Sequence, residues 1–381
     1  MKIKKMLIPA CAVVLLAVIM LLLITAGSAK EKVKVILDCD MGYMNDDALA
    51  LSMLLQAEKE TDIELIGITL EGGNVFIDAG FESEGEYQTP SRDSVTAFLE
   101  KVGRKDIPVY RGTDLPRDYT KSTVSQLSGY YENIEYLQYC DGYGAIHAFE
   151  NTVGGELCDS DEAADFLTDA AKENEGNVVI VATGPVMNIA GAVEKDADFA
   201  SRVKAIYYMF GAFGDRYEDK TSEGKTVDAV GGANVTPYAE YNALYDPQSL
   251  YTCLTAPFPE QTVTSGEVYA EYGEYIKDAL GSKDSVMAKI WADHYEKNTP
   301  DYPYWDPVAA FAFLYPSQTH SSVRYVTVNT DRTDKMYGKT TALSPEDYGI
   351  LPEGEKEKYA RVSAVSGTDG FWDRVTELFE R

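Results

Sequence analysis

An α/β fold, with a mostly parallel central sheet flanked by helices, is what this sequence predicts, and three observations predict it. Short apolar runs of strand length alternate with amphipathic stretches of helical period. Acidic or small polar residues follow several of those runs directly, as they do where strands of an open parallel sheet end at a ligand site. Two polar, glycine-containing stretches at 77–91 and 214–232 interrupt the rhythm just after strands. They predict helical and loop cap insertions over the C-terminal strand ends.

Taken in order, residues 33–37 (VKVIL) form a short apolar strand with acids at its end, and 46–56 follow with helical periodicity. Residues 62–70 (DIELIGITL) read as a second strand, closed by Gly72, Gly73 and Asn74. An amphipathic helix at 93–103 leads to a strand at 107–110, and a further helix spans 161–173. The buried strand 177–182 (NVVIVA) ends in Thr183, Gly184 and Pro185, the helix 186–193 follows, and the strand 203–210 (VKAIYYMF) ends at Gly211. Residues 267–298 are mostly helical and rich in Tyr and Trp. A shorter helix at 306–315, a strand at 322–330 and a helix near 371–379 complete the chain. The strand–helix alternation is that of a Rossmann-like sheet covered on both faces.

At 381 residues and 45% hydrophobic, the chain can bury a large core. Its opening residues, MKIKK, are basic and precede an apolar run from 6 to 26 and the patch GSAKEK. That is the layout of a secretory signal peptide over 1–29. The run also reaches the ~20 residues that span a bilayer, so an uncleaved membrane anchor competes with it. Both alternatives place residues 30–381, the expected folded domain, outside the cytoplasm, either secreted or anchored. The formal charge is −28, and residues 1–29 hold three lysines and no acid, leaving −31 on the remainder. A chain so acidic repels nucleic acid and anionic membrane surfaces. It suits a neutral small molecule and a cation cofactor, and a homo-oligomer stays open. Cys39, between two aspartates, reads as a small buried residue. His147, His294 and His320 share no zinc-ligand spacing.

Four acids, Asp38, Asp40, Asp46 and Asp47, fall within ten residues where strand gives way to helix. Carboxylates this close repel unless protonated or paired with a cation, and oxygen-only ligation favours calcium or magnesium. A plainer reading makes Asp46 and Asp47 helix caps that complement the dipole. Asp306, followed by Pro307, likewise reads as an ordinary N-cap with proline at the first helical position. Asn234, Glu240 and Asn242 place two amides and a carboxylate within nine residues, a set able to bind several hydroxyls.

Together these segments resemble the inosine–uridine-preferring nucleoside hydrolase family. DCDMGYMNDDALAL at 38–51 is similar to its N-terminal aspartate signature, in the variant with a longer spacer before the paired aspartates. ITLEGGN at 68–74, IPVYRG at 107–112, DGYG at 141–144, TGPVMNI at 183–189 and MFG at 209–211 follow in the family's order. So do Asn234, Glu240 and Asn242, then Trp305 with Asp306. The resemblance implies calcium held by Asp40, Asp47 and Asp306 through side chains and by Thr183 through its carbonyl. It implies that Asp46, Asn74 and Asn242 bind the ribose 2′- and 3′-hydroxyls, and that Met209, Asn234 and Glu240 surround the 5′ end. Asp40 would also act as general base on a calcium-bound water. The implied reaction is hydrolysis of a ribonucleoside, or a related N-riboside, to ribose and free base.

Two departures bear on the leaving group. Trp305 stands where many members carry a histidine, and the family's histidine near the 141–144 landmark falls at Gln138. Sugar handling is intact while base recognition is open, with Trp305 and neighbouring tyrosines offering an aromatic pocket. A second reading therefore persists, of an extracytoplasmic sugar- or nucleoside-binding protein on a hydrolase scaffold without turnover. A phosphatase of the haloacid dehalogenase type shares the Asp38-Cys39-Asp40 pattern, but Met41 and Gly42 depart from its continuation.

Overall fold

A computed structural model describes residues 31–83, 86–116, 152–220, 226–298, 303–334 and 336–380. The expected signal or anchor at 1–29, the DGYG landmark, Gln138 and His147 lie outside the described residues. No helix among the described residues is long and apolar enough to cross a membrane.

The strands are β1 (Val33–Cys39), β2 (Ile63–Leu70), β3 (Gly80–Ser83), β4 (Glu86–Gln88), β5 (Val109–Arg111), β6 (Thr152–Val153), β7 (Val178–Ala182), β8 (Val203–Met209), β9 (Arg216–Lys220), β10 (Thr226–Val230), β11 (Gln261–Thr264), β12 (Thr319–Val328), β13 (Thr340–Leu343) and β14 (Ala360–Thr368). Nine of them make one sheet in the order β13-β12-β14-β11-β8-β7-β1-β2-β5. Every pairing from β14 to β5 is parallel, and only β12 runs antiparallel to its two neighbours. The mostly parallel sheet is as expected.

From β1 the chain winds through β2 to β5 at one edge. It then returns to the other side of β1 and winds outward through β7, β8, β11 and β14. The order reverses between β1 and β7, and crevices of this kind, outside the C-terminal strand ends, are where open α/β sheets bind ligands.

Alternation along β1 sends Val35, Leu37 and Cys39 to one face and Ile36 to the other, and each face meets its own apolar cluster. The helix Asp46–Ala57 is buried along its whole length, because the helix Asp306–Leu314 packs on it as well as the sheet. Its polar Ser52 is satisfied inside: it donates to the Ala48 carbonyl at 2.7 Å and accepts from Trp291 Nε1 at 2.9 Å.

The two insertions carry more structure than polar composition suggests. Residues 77–91 contain β3 and β4, which join β6 in a small antiparallel sheet, and 214–232 fold as the β9–β10 hairpin. Strands β11, β13 and β14, and the helices Tyr241–Tyr245 and Pro247–Thr255, have no counterpart in the sequence reading.

Candidate active site

The acids of the N-terminal signature meet at the switch point. Asp38 is the penultimate residue of β1, Asp40 follows the strand, and Asp46 and Asp47 occupy the first turn of the helix Asp46–Ala57. That helix is capped by Asn45, whose Oδ1 accepts from the Ala48 N–H at 3.4 Å. Asp46 and Asp47 are therefore not the cap, and their carboxylates are released for other work. Asp306 comes from a distant helix in which Trp305 takes the N-cap position without a side-chain cap bond, so Asp306 too is not the cap that its Pro307 neighbour suggests.

Carboxylate oxygens of Asp46, Asp47 and Asp306 lie within 4.8 Å of one another, and all three residues are buried. Asp40 is fully buried beside them. Its Oδ2 accepts a 2.6 Å bond from the Asn74 N–H, and its Oδ1 has no hydrogen-bond partner among the described residues. Burial first, then the charge of Asp47, pushes the Asp40 carboxyl well above the ordinary range. Burial and Asp46 raise Asp47 to about 7, while burial followed by the charges of Asp46, Asp47 and Asp40 drives Asp306 well up. Burial alone raises Asp46 against the pull of hydrogen bonds from Trp305. Four buried acids that resist ionising together form an all-oxygen donor set with an orphaned oxygen, which fits a hard divalent cation.

Thr183, at the end of β7, donates its hydroxyl to Asp47 Oδ1 at 2.6 Å, and its carbonyl accepts from Asn242 Nδ2 at 2.8 Å. Asn242 Nδ2 also reaches the Met209 carbonyl at 3.1 Å, joining the ends of β7 and β8. Glu240 caps its helix: its carboxylate accepts from the N–H groups of Asn242 and Ala243 at 2.9 and 3.1 Å and of Gly211 at 2.7 Å. Burial nonetheless raises it to about 7. Asn234 Oδ1 accepts from the Tyr241 N–H at 2.9 Å. Trp305 is half-buried; its indole N–H donates to the Gly266 carbonyl at 2.7 Å and its ring meets Tyr269 edge-on at 6.2 Å. Its backbone N–H faces Asp46 Oδ2 at 3.3 Å.

The inosine-uridine preferring nucleoside hydrolase model matches residues 35–373. The chain belongs to that family. Among nucleoside hydrolases, the pyrimidine-specific ribonucleoside hydrolase RihB of Escherichia coli (strain SE11) is 26% identical over 364 residues, covering 91% of this chain and 97% of its own. A plant nucleoside hydrolase, PpNRh1, superposes with a TM-score of 0.61 at 25% identity over 91% of this chain and 97% of its own. The purine-preferring ribonucleoside hydrolase from Gardnerella vaginalis shares the fold at a TM-score of 0.59 and 19% identity, over 91% and 99%. Membership in the nucleoside hydrolase family makes this chain a hydrolase of N-glycosyl bonds.

Within that nucleoside hydrolase frame, the structure gathers Asp40, Asp46, Asp47, Asn74, Thr183, Met209, Asn234, Glu240, Asn242, Trp305 and Asp306 around the C-terminal ends of β1, β2, β7 and β8. Asp46, Asp47 and Asp306 lie at ligand spacing of one another, with Asp40 buried beside them. Three supporting residues escaped the sequence reading. Asn188 donates to Asp38 Oδ1 at 2.9 Å, and Glu71 accepts from the N–H groups of Val186, Met187 and Asn188 at 2.8, 2.6 and 3.3 Å. Asp114 accepts from the Ile77 and Cys158 N–H groups at 2.8 and 2.6 Å, tying together the loops after β2 and β5. The one available signal for Glu71 is its place at the end of an apolar strand. Cys39 is buried as expected, and no disulfide joins Cys39, Cys158 and Cys253 among the described residues. His294 packs edge-on against Trp291 of its own helix.

Proposed function

We propose that this protein hydrolyses the N-glycosidic bond of ribonucleosides, or of a related N-riboside, to ribose and free base, with calcium as its cation and Asp40 as general base. One observation carries the reading: Asp40 is buried among three other carboxylates with Oδ2 fixed and Oδ1 free of partners. The name of RihB as a ribonucleoside hydrolase supports it, as does that of PpNRh1 as a nucleoside hydrolase. Asp40, Asp47, Asp306 and the Thr183 carbonyl would hold the ion, which when bound supplies a fixed charge that orients sugar hydroxyls and acidifies a water.

The chain's own groups do the rest. Asp40 Oδ1 takes a proton from the attacking water, whose oxygen bonds to C1′ as the C1′–N pair leaves with the base. The surrounding carboxylates stabilise the oxocarbenium character that develops. Asp46, Asn74 and Asn242 hold the 2′- and 3′-hydroxyls, Met209, Asn234 and Glu240 enclose the 5′ end, and Trp305 borders the departing base. RihB is named for pyrimidines and the Gardnerella enzyme for purines, so the test uses both. The purified protein is incubated with purine and pyrimidine ribonucleosides and calcium, and reducing sugar is measured. Ribose release that falls at least ~10²-fold in Asp40→Asn, the usual scale for a general base, is the expected result. Ligand binding without ribose from any substrate would make this a binding protein instead.

A further inference from the structure

Tyr241 lies between Glu240 and Asn242, and its hydroxyl donates a 2.8 Å hydrogen bond to the Gly73 carbonyl. That carbonyl shares one peptide unit with the Asn74 N–H, which donates to Asp40 Oδ2 at 2.6 Å. A peptide unit is planar and its C=O and N–H point in opposite directions, so fixing one end aims the other. A hydrogen bond accepted by the carbonyl also polarises the N–H across the unit and strengthens what it donates. Position 73 is built for this contact, since a β-carbon there would overlap Asp40 Oδ2. The tyrosine has little freedom: it is buried, and its ring tilts against that of Tyr245 at 5.9 Å.

We infer that Tyr241 is a positioning residue for Asp40. Acting through the Gly73–Asn74 peptide, it keeps Oδ2 occupied and turns Oδ1 toward the reacting groups. The inference rests on the reading of Asp40 as the base. It also separates Tyr241 from its helical neighbour Tyr245, whose hydroxyl makes a bond of the same 2.8 Å length to the Asp114 carbonyl, on the loop after β5.

The test compares Tyr241→Phe and Tyr245→Phe in the full, calcium-loaded chain, each alone and Tyr241→Phe also with Asp40→Asn. Thermal melts establish folding, kinetics give kcat and KM on a ribonucleoside, and calorimetry gives calcium affinity. Tyr241→Phe is expected to lower kcat about fivefold to tenfold, the worth of one ordinary hydrogen bond, with KM within about twofold. The loss vanishes in the Asp40→Asn background, and Tyr245→Phe keeps its kcat while its melting temperature falls. Wild-type kcat in Tyr241→Phe, an equal loss in both backgrounds, or the same kcat loss in Tyr245→Phe would each overturn the inference. Near-normal turnover in Asp40→Asn sinks the base reading instead. Calcium affinity then decides the positioning role: weakened binding in Tyr241→Phe upholds it and unchanged binding removes it. If Tyr241→Phe does not fold, Tyr241→Met removes the same hydroxyl with a flexible side chain that fills the space. A kcat-specific loss there supports the inference, and wild-type kcat overturns it.

Discussion

Thr183 donates its side-chain hydroxyl to Asp47 Oδ1 at 2.6 Å, joining residues 136 positions apart in the chain. The two flank the switch point, one at the end of β7 and the other on the helix that follows β1. Asn45 holds the second oxygen of Asp47 at 2.9 Å, so this carboxylate is pinned at both ends and presents its remaining lone pairs to Asp46 and Asp306. Pre-fixing a charged ligand in this way lowers the ordering cost of binding an ion.

Calcium binding is the first consequence. After chelator treatment, titration calorimetry should show one saturable calcium site that Asp47→Ala abolishes, because the proposed set of Asp40, Asp47, Asp306 and the Thr183 carbonyl loses a member. Thr183→Val keeps the carbonyl and the β-branched shape but removes the hydroxyl. It should weaken binding by about 1 kcal/mol, the net worth of one hydrogen bond. Undiminished binding in Asp47→Ala would remove this carboxylate cluster as the ion's site.

Stability against pH follows from the same burial. Asp38 is raised to about 6 and Asp47 and Asp114 to about 7, in each case chiefly by burial, whereas unfolded carboxylates titrate near ~4. Between those values the folded, metal-free protein holds more protons than the unfolded chain, so its stability falls as pH rises through the window. An ion held by Asp40, Asp47 and Asp306 favours the charged carboxylates and counters that loss. The rise in melting temperature on adding calcium should therefore be larger at about pH 7.5 than at about pH 5, at fixed ionic strength. Equal gains at the two pH values would show that the raised carboxylates and the ion are not linked.

How far the sequence could be read depended on whether a signal was local. β1 and the helix Asp46–Ala57 stood out because an apolar run, a burst of acids and a 3.6-residue period fall side by side. β11, four residues reading QTVT, and β14, reading ARVSAVSGT with small and polar residues between its valines, carry too little apolar contrast to show. They become strands because β8 offers an open parallel edge and the sheet extends across it. The candidate site divides the same way. Acid density exposed Asp38 to Asp47, but Thr183 was found only through family resemblance, and Asp114 looks in sequence like any solvated loop acid. Its burial comes from a partner, Cys158, 44 positions away. The capping reading of Asp46, Asp47 and Asp306 was reasonable locally and fails because Asn45 and Trp305 occupy those cap positions.

Trp305 governs the last prediction, which concerns the leaving group. Its indole N–H is committed to the Gly266 carbonyl at 2.7 Å, and it carries no proton that it could surrender at neutral pH. What the side chain offers is a half-buried aromatic surface, continued by Tyr269 edge-on, immediately before Asp306. A base stacked there is held and shielded from water, contributions worth about 0.5–1.5 kcal/mol beyond area burial for an aromatic pair. They matter most when the leaving group is poor. Trp305→Ala should therefore reduce kcat/KM on purine nucleosides by about tenfold or more, and on p-nitrophenyl riboside, which leaves without help, by far less. Trp305→Phe, which keeps a ring but loses the anchor to Gly266, should fall between the two. An equal loss on both substrates would instead mean that Trp305 packs the cap and sets the position of Asp306. No loss on either would leave the leaving group to residues other than Trp305.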